Sequence, residues 1–137
     1  MTTQYGQTNI NRPMSGSRYV DQRDIDSSLV TPAVVLNADD EFIIASDHDG
    51  ETAYQVNLPD VREVEAKDVI IKVRVGGAVA VTVATAAGTG QTIDGAATAV
   101  LAAALHTIVV RADPPDTTVT PTAAPTNWSI IRGPGAP

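Results

Sequence analysis

Residues 69–83 constrain the fold more tightly than any other stretch. In Val69-Ile70-Ile71-Lys72-Val73-Arg74-Val75, the residues Val69, Ile71, Val73 and Val75 face one way while Lys72 and Arg74 face the other. Gly76-Gly77 follows, and glycine accepts the positive φ that a primed hairpin turn requires. Val79, Val81 and Val83 then alternate with Ala80, Thr82 and Ala84. Successive side chains leave a pleated strand on opposite sides, so a period of two marks a strand with one buried face. The pattern predicts a β-hairpin here and, for the whole chain, an all-β, antiparallel β-sandwich.

The flanking sequence repeats the theme in shorter runs. Val34-Val35-Leu36 and Glu41-Phe42-Ile43-Ile44-Ala45 are β-prone and separated by the turn-forming Asn37-Ala38-Asp39-Asp40. Tyr54-Gln55-Val56-Asn57-Leu58, Thr92-Ile93, His106 to Arg111, and Asn127-Trp128-Ser129-Ile130-Ile131 read as further strands. Residues 96–105 (AATAVLAAAL) have helical propensity, yet a helix of that length is marginal unless packed, and the neighbours are all short strands. Strand and turn is the expected outcome there.

Three zones follow. Residues 1–28 are polar and without periodicity, which predicts an extended N-terminal arm. Residues 29–137 form the body, interrupted by a Pro/Thr-rich excursion at 113–126 and ending in a short Gly-Pro tail. Deleting residues 1–28 is expected to leave that body folded.

Composition narrows the function. With one Phe, one Trp and three Tyr, the core has to be built from Val, Ile, Leu and Ala, each burying less area than a ring. A small domain with such a core gains from a partner surface or from oligomerisation. The net charge is −7, and residues 37–68 hold ten acids against Arg62 and Lys67. Nucleic-acid binding needs the opposite, a basic stripe that displaces phosphate counterions. With no cysteine there is no disulfide, thiolate nucleophile or Cys-based zinc site. The N-terminus lacks the apolar core of a signal peptide, and no run is long and apolar enough to span a membrane. A soluble chain made in the cytoplasm is expected.

No arrangement for catalysis emerges. The sequence has no phosphate-binding loop, zinc-binding helix motif or nucleophile elbow, and its histidines, His48 and His106, fall in different segments. Asp47-His48-Asp49-Gly50 is the densest polar cluster. It lacks the spaced oxygen ligands and closing Glu of a calcium loop, so it reads as an acidic turn. Glu63 and Glu65, two apart on an expected strand, share one face rather than flanking a bond to be cleaved. Catalytic, cofactor and metal residues are all expected to be none, and the protein is expected not to be an enzyme.

The order of features from Asp40 to Gly133 resembles a module of tailed-bacteriophage virion structural proteins, of the capsid decoration (cement), head-fibre and tail-fibre type. The resemblance runs through Leu58-Pro59-Asp60, Val69-Ile70-Ile71-Lys72-Val73, the Gly turn, Ala80-Val81-Thr82-Val83, Thr92-Ile93-Asp94-Gly95, Thr107-Ile108-Val109-Val110 and Asn127-Trp128-Ser129-Ile130-Ile131. Two stretches depart from it: the long excursion from Asp113 to Thr126, where the family has a short turn, and the Ala-rich 96–105. The resemblance implies a β-sandwich or jelly-roll-like body, commonly trimeric, located on the virion. Because a single module with an arm has no room for a receptor-binding tip, the decoration role is favoured. It would be a homotrimer on the capsid exterior, bound to major capsid protein subunits. A head-fibre or tail-fibre adaptor is the alternative. A carbohydrate-binding module ranks below both, since only Phe42, Tyr54 and Trp128 are available in the body to stack on sugars.

Overall fold

In the computed structural model the described residues are 16–46, 53–64, 67–74 and 80–135. They form ten strands: β1 (Ser17–Val20), β2 (Val34–Val35), β3 (Phe42–Ala45), β4 (Tyr54–Asn57), β5 (Asp68–Val73), β6 (Val81–Ala84), β7 (Thr92–Ile93), β8 (Thr98–Leu101), β9 (Thr107–Ala112) and β10 (Asn127–Gly135). The only helical elements among the described residues are two 3-10 turns, Gln22–Asp24 and Val61–Glu63. The Ala-rich 96–105 is β8 followed by a turn.

The strands sort into two mixed sheets, one ordered β1-β3-β5-β9-β10-β7 and the other β2-β4-β6-β8. From β1 to β9 the chain crosses between the sheets at every step, so each turn of the path adds one strand to each. This explains the parallel pairing of β1 with β3, β3 with β5, β2 with β4, and β4 with β6. Parallel neighbours need a crossover, usually a helix. Here the crossover is a strand of the other sheet. Antiparallel pairing is confined to β5–β9, β9–β10 and β6–β8, while β7 lies parallel to β10.

Two expectations are corrected by this path. The sheets are not purely antiparallel, and residues 69–83 are not a hairpin. β5 lies between β3 and β9, whereas β6 lies between β4 and β8 in the other sheet. Gly76-Gly77 lies outside the described residues, but the strands flanking it belong to different sheets and contribute to one core. Val69, Ile71 and Val73 point inward from one sheet, and Val81 and Val83 from the other.

Inward residues of both sheets form one cluster, with Trp128, Ile43, Leu58, Ile71, Ile93, Leu101 and Ile108 fully buried. Burying each such aliphatic side chain stabilises by about 1.5–3 kcal/mol. Trp128 does more than cap the sheet, because it is an interior residue on β10 beside Ala112 and Ile93. The boundary expected at residue 28 is also corrected. Residues 1–15 lie outside the described residues, but Ser17–Val20 pairs along its whole length with β3, and Val20 is buried in the core. Residues from Gly16 onward therefore belong to the body.

Candidate interaction surface

The outward side of the six-stranded sheet carries the most unusual chemistry of the described surface. Pairing registers line up Ser17, Phe42, Ile70, Val109 and Arg132 in one row across five strands. The next row on this face is Tyr19, Ile44, Lys72 and Thr107. Neighbouring strands lie about 4.8 Å apart, so the first row spans roughly 20 Å. A sheet with one solvated face normally places polar side chains there. Here Phe42, Ile44, Ile70 and Val109 make the centre of that face apolar, and Tyr19 stands 64% exposed at its edge. The other sheet differs. Its outward positions on the central strands β4 and β6 are Gln55, Asn57, Thr82 and Ala84, and its exposed apolar side chains, Val35 and Val100, are confined to the edge strands β2 and β8.

The distribution of cations sharpens the contrast. Arg18 is held by Asp40, Arg23 by Asp21, Arg62 by Asp60, and Arg111 by Asp68. Lys67 donates to the Ala38 carbonyl oxygen. Three described cations have no such partner, Lys72, Arg74 and Arg132. Lys72 and Arg132 stand in the two rows, and exposed Arg74 lies just past the end of β5. Exposed Arg74 and Lys72 border a shallow depression with Tyr19, Phe42, Ile44 and Leu105. Among the described residues, the free cations of this acidic protein thus lie around one apolar face.

Two acids of residues 37–68, Asp40 and Asp60, are engaged within the fold. Asp40 is buried and accepts two bonds from Arg18 and one from the Asn37 N–H, at 2.7 Å. Asp60 caps the second 3-10 turn and accepts from Arg62 and from Gln91 Nε2, at 2.7 Å. Those donors hold the Asp60 carboxyl well below the usual carboxylate range, the Arg62 side chain contributing most. Gln91 also accepts from the Val61 N–H, so one buried amide joins the β6–β7 connection to the turn.

The residues singled out for chemistry are not gathered into a site. Asp47, His48, Asp49 and Gly50 lie outside the described residues, as does Glu65. Glu63 is exposed on a 3-10 turn instead of the expected strand. His106 sits in the turn before β9, with its N–H bonded to the Ala103 carbonyl. No group of three or more metal-binding side chains occurs among the described residues. Of the aromatics considered for sugar stacking, Tyr54 and Trp128 are buried and only Phe42 is exposed. Sequence reasoning missed Tyr19, placed in the arm by its polar neighbours. The available signal was the unbroken apolar run Phe42 to Ala45, which has hydrophobes on both sides of a strand and marks a sheet apolar on both faces.

No family model matches this chain, and no curated protein or solved structure matches it either.

Proposed function

We propose that this chain is a tailed-phage capsid decoration protein, a homotrimer that binds major capsid protein subunits on the outer surface of the assembled capsid and stabilises the shell. The observation that carries the reading is the apolar face of the six-stranded sheet, bordered by Lys72, Arg74 and Arg132. We read the two sheets as a β-sandwich and this face as the surface where copies of the chain meet. Leaving Tyr19 and Phe42 in water forgoes about 25 cal/mol for every Å² that a neighbour would cover. A neighbouring copy, with its net charge of −7, complements three free cations. The resemblance of residues 40–133 to virion modules supplies the virion setting. The chemistry is passive: anything that binds only the assembled shell stabilises it by linkage.

Sedimentation equilibrium tests the self-association. The wild-type chain is expected to be a trimer, and Phe42→Asp to shift it towards monomer. Co-sedimentation with expanded capsids and with free coat subunits tests the location, with binding expected to the capsids alone. Copy number decides between the readings. Hundreds of copies per virion support decoration, whereas a handful at a vertex or tail overturns it in favour of the fibre or adaptor alternative.

A further inference from the structure

Two loops far apart in the sequence are built alike. Asp26–Ala33 (DSSLVTPA) and Asp116–Ala123 (DTTVTPTA) each begin at an Asp and close by an antiparallel bridge to an Ala. The closing bond runs from the Asp N–H to the Ala carbonyl and is 2.8 Å in both. In the first loop Asp26 Oδ1 accepts from the Ser28 N–H at 3.0 Å and the Ser28 hydroxyl at 2.5 Å. In the second, Asp116 Oδ1 accepts from the Thr118 N–H at 2.9 Å and the Thr118 hydroxyl at 2.5 Å. Such turns fix a loop from within, without help from the core.

Topology does not require this likeness. The first loop carries the chain from β1 in one sheet to β2 in the other, while the second joins β9 to β10, neighbours in one sheet. Antiparallel neighbours can be joined by two residues, yet residues 113–126 make the join here, and 114–124 are exposed throughout. Both loops lift a valine into solvent just before a Thr-Pro pair, Val30 at 105% exposure as the fifth residue of its loop and Val119 at 44% as the fourth. One oxygen of each loop's carboxylate is engaged by its own turn, so the chemistry presented is an internally bonded loop of hydroxyls around an aliphatic tip, with one exposed negative charge at its base. A stiff loop loses little conformational entropy when it docks.

We infer that the two loops are copies of one docking element, with which each chain grips two equivalent sites on a repeating protein surface, each site a shallow apolar depression that takes an aliphatic side chain. Two like elements on one body find two like sites only where the partner itself repeats, and the second contact is then intramolecular and strengthened by effective concentration. The inference rests on the proposed function to the extent that a lattice of identical coat subunits is such a surface.

The chain has no cysteine, so Val30→Cys and Val119→Cys each introduce a single thiol. Each variant, labelled with a short thiol-linked photo-cross-linker, is assembled onto virions, irradiated and mapped by peptide mass spectrometry. Both positions are expected to attach to the same segment of the major capsid protein. Attachment of both to one segment of a tail or fibre protein keeps the docking inference and overturns the decoration role. Attachment to different segments, or from one position only, overturns the inference and leaves the decoration role standing if the partner is the coat. Binding affinities give an independent readout. Val30→Asp and Val119→Asp are each expected to weaken binding to particles about tenfold or more, and the double variant about a hundredfold or more. Unchanged melting temperatures would confirm folding, and a double variant that binds like wild type would end the proposal.

Discussion

Arg18 and Asp40 meet through two parallel bonds, Nε to Oδ1 at 3.1 Å and Nη2 to Oδ2 at 3.0 Å. The pair fastens β1 to the turn that precedes β3, with the carboxylate buried and the guanidinium partly exposed. Tyr54 adds a second tie, its hydroxyl lying 3.1 Å from the Val20 carbonyl oxygen and 2.7 Å from that of Ser46. A segment whose composition reads as an arm is therefore wired into the body from Gly16 onward.

Truncation at two points tests this. A chain lacking residues 1–15 is expected to melt within a few degrees of the full-length protein. One lacking residues 1–28 loses β1, the burial of Val20 and the partner of a buried carboxylate. Leaving a buried carboxylate without its partner costs at least about 1–3 kcal/mol, a large part of a small domain's total stability. Circular dichroism of the shorter chain should show a broad or missing transition. Equal melting of the two truncated forms would show that β1 contributes nothing to the body.

Trp128 offers a sharper test of packing. Its ring is fully buried, and Nε1 has no hydrogen-bond partner. An unpaired buried N–H costs about 1–3 kcal/mol. Trp128→Phe removes that cost and opens a gap of similar energetic size, so the two effects should cancel to within about 1 kcal/mol. Trp128→Ala removes the whole ring and should cost about 3–5 kcal/mol. Urea unfolding followed by far-ultraviolet circular dichroism separates the two. Equal damage from both substitutions would mean that the indole N–H is satisfied in solution.

Gly133 should tolerate no side chain. It sits at φ +80 in the irregular second half of β10, where the register with β9 shifts between Ile130 and Arg132 and again before Gly135. A Cβ at this position would overlap the Thr107 carbonyl oxygen. The left-handed backbone alone costs a residue with a Cβ about 1–2 kcal/mol, and relieving the overlap requires β9 to move. Gly133→Ala is therefore expected to destabilise by at least about 2 kcal/mol. Gly135→Ala, with open space around its Cβ, is the control and should be nearly silent. Similar melting temperatures for the two would contradict the close approach of β9 and β10.

The sequence made strand positions legible, but not the neighbours those strands choose. Alternation says that Val69, Ile71 and Val73 face inward, and they do. It is silent on whether β6 lies beside β5 or opposite it, because both arrangements bury the same side chains. Only the long-range pairing with β3 and β9 decides, and that is not a local property. β1 was missed because a four-residue strand with one buried side chain has no pattern of its own and is held by its partner. The twin loops were missed because only the opening Asp and closing Ala match position by position, Ser-Ser-Leu-Val-Thr-Pro in one standing against Thr-Thr-Val-Thr-Pro-Thr in the other. For the apolar face the residues were in plain view, but Phe42 and Ile44 could be sided only once the register was known.

Acid should weaken this fold through identifiable carboxylates. Asp60 is held low chiefly by its bonds to the Arg62 side chain, while Asp26 and Asp116 are held low chiefly by the hydroxyls of Ser28 and Thr118. A carboxyl whose folded pKa lies below its unfolded value binds a proton more readily when the chain unfolds. Its contribution is thus fully present above the unfolded value of about 3.9 and is lost as pH falls through the lower folded value. Melting temperature should accordingly be flat, as far as these three groups act, from neutral pH to about pH 5, and fall below about pH 4. Asp26 and Asp116 are exposed, so solvent screens their share and Asp60 should dominate. Asp60→Asn can still accept from the Arg62 N–H and from Gln91 but carries no charge. The variant should melt below wild type at pH 7, and the two curves should converge as pH approaches 2. Curves that stay parallel across the whole range would mean that the Asp60–Arg62 contact does not set the acid limb.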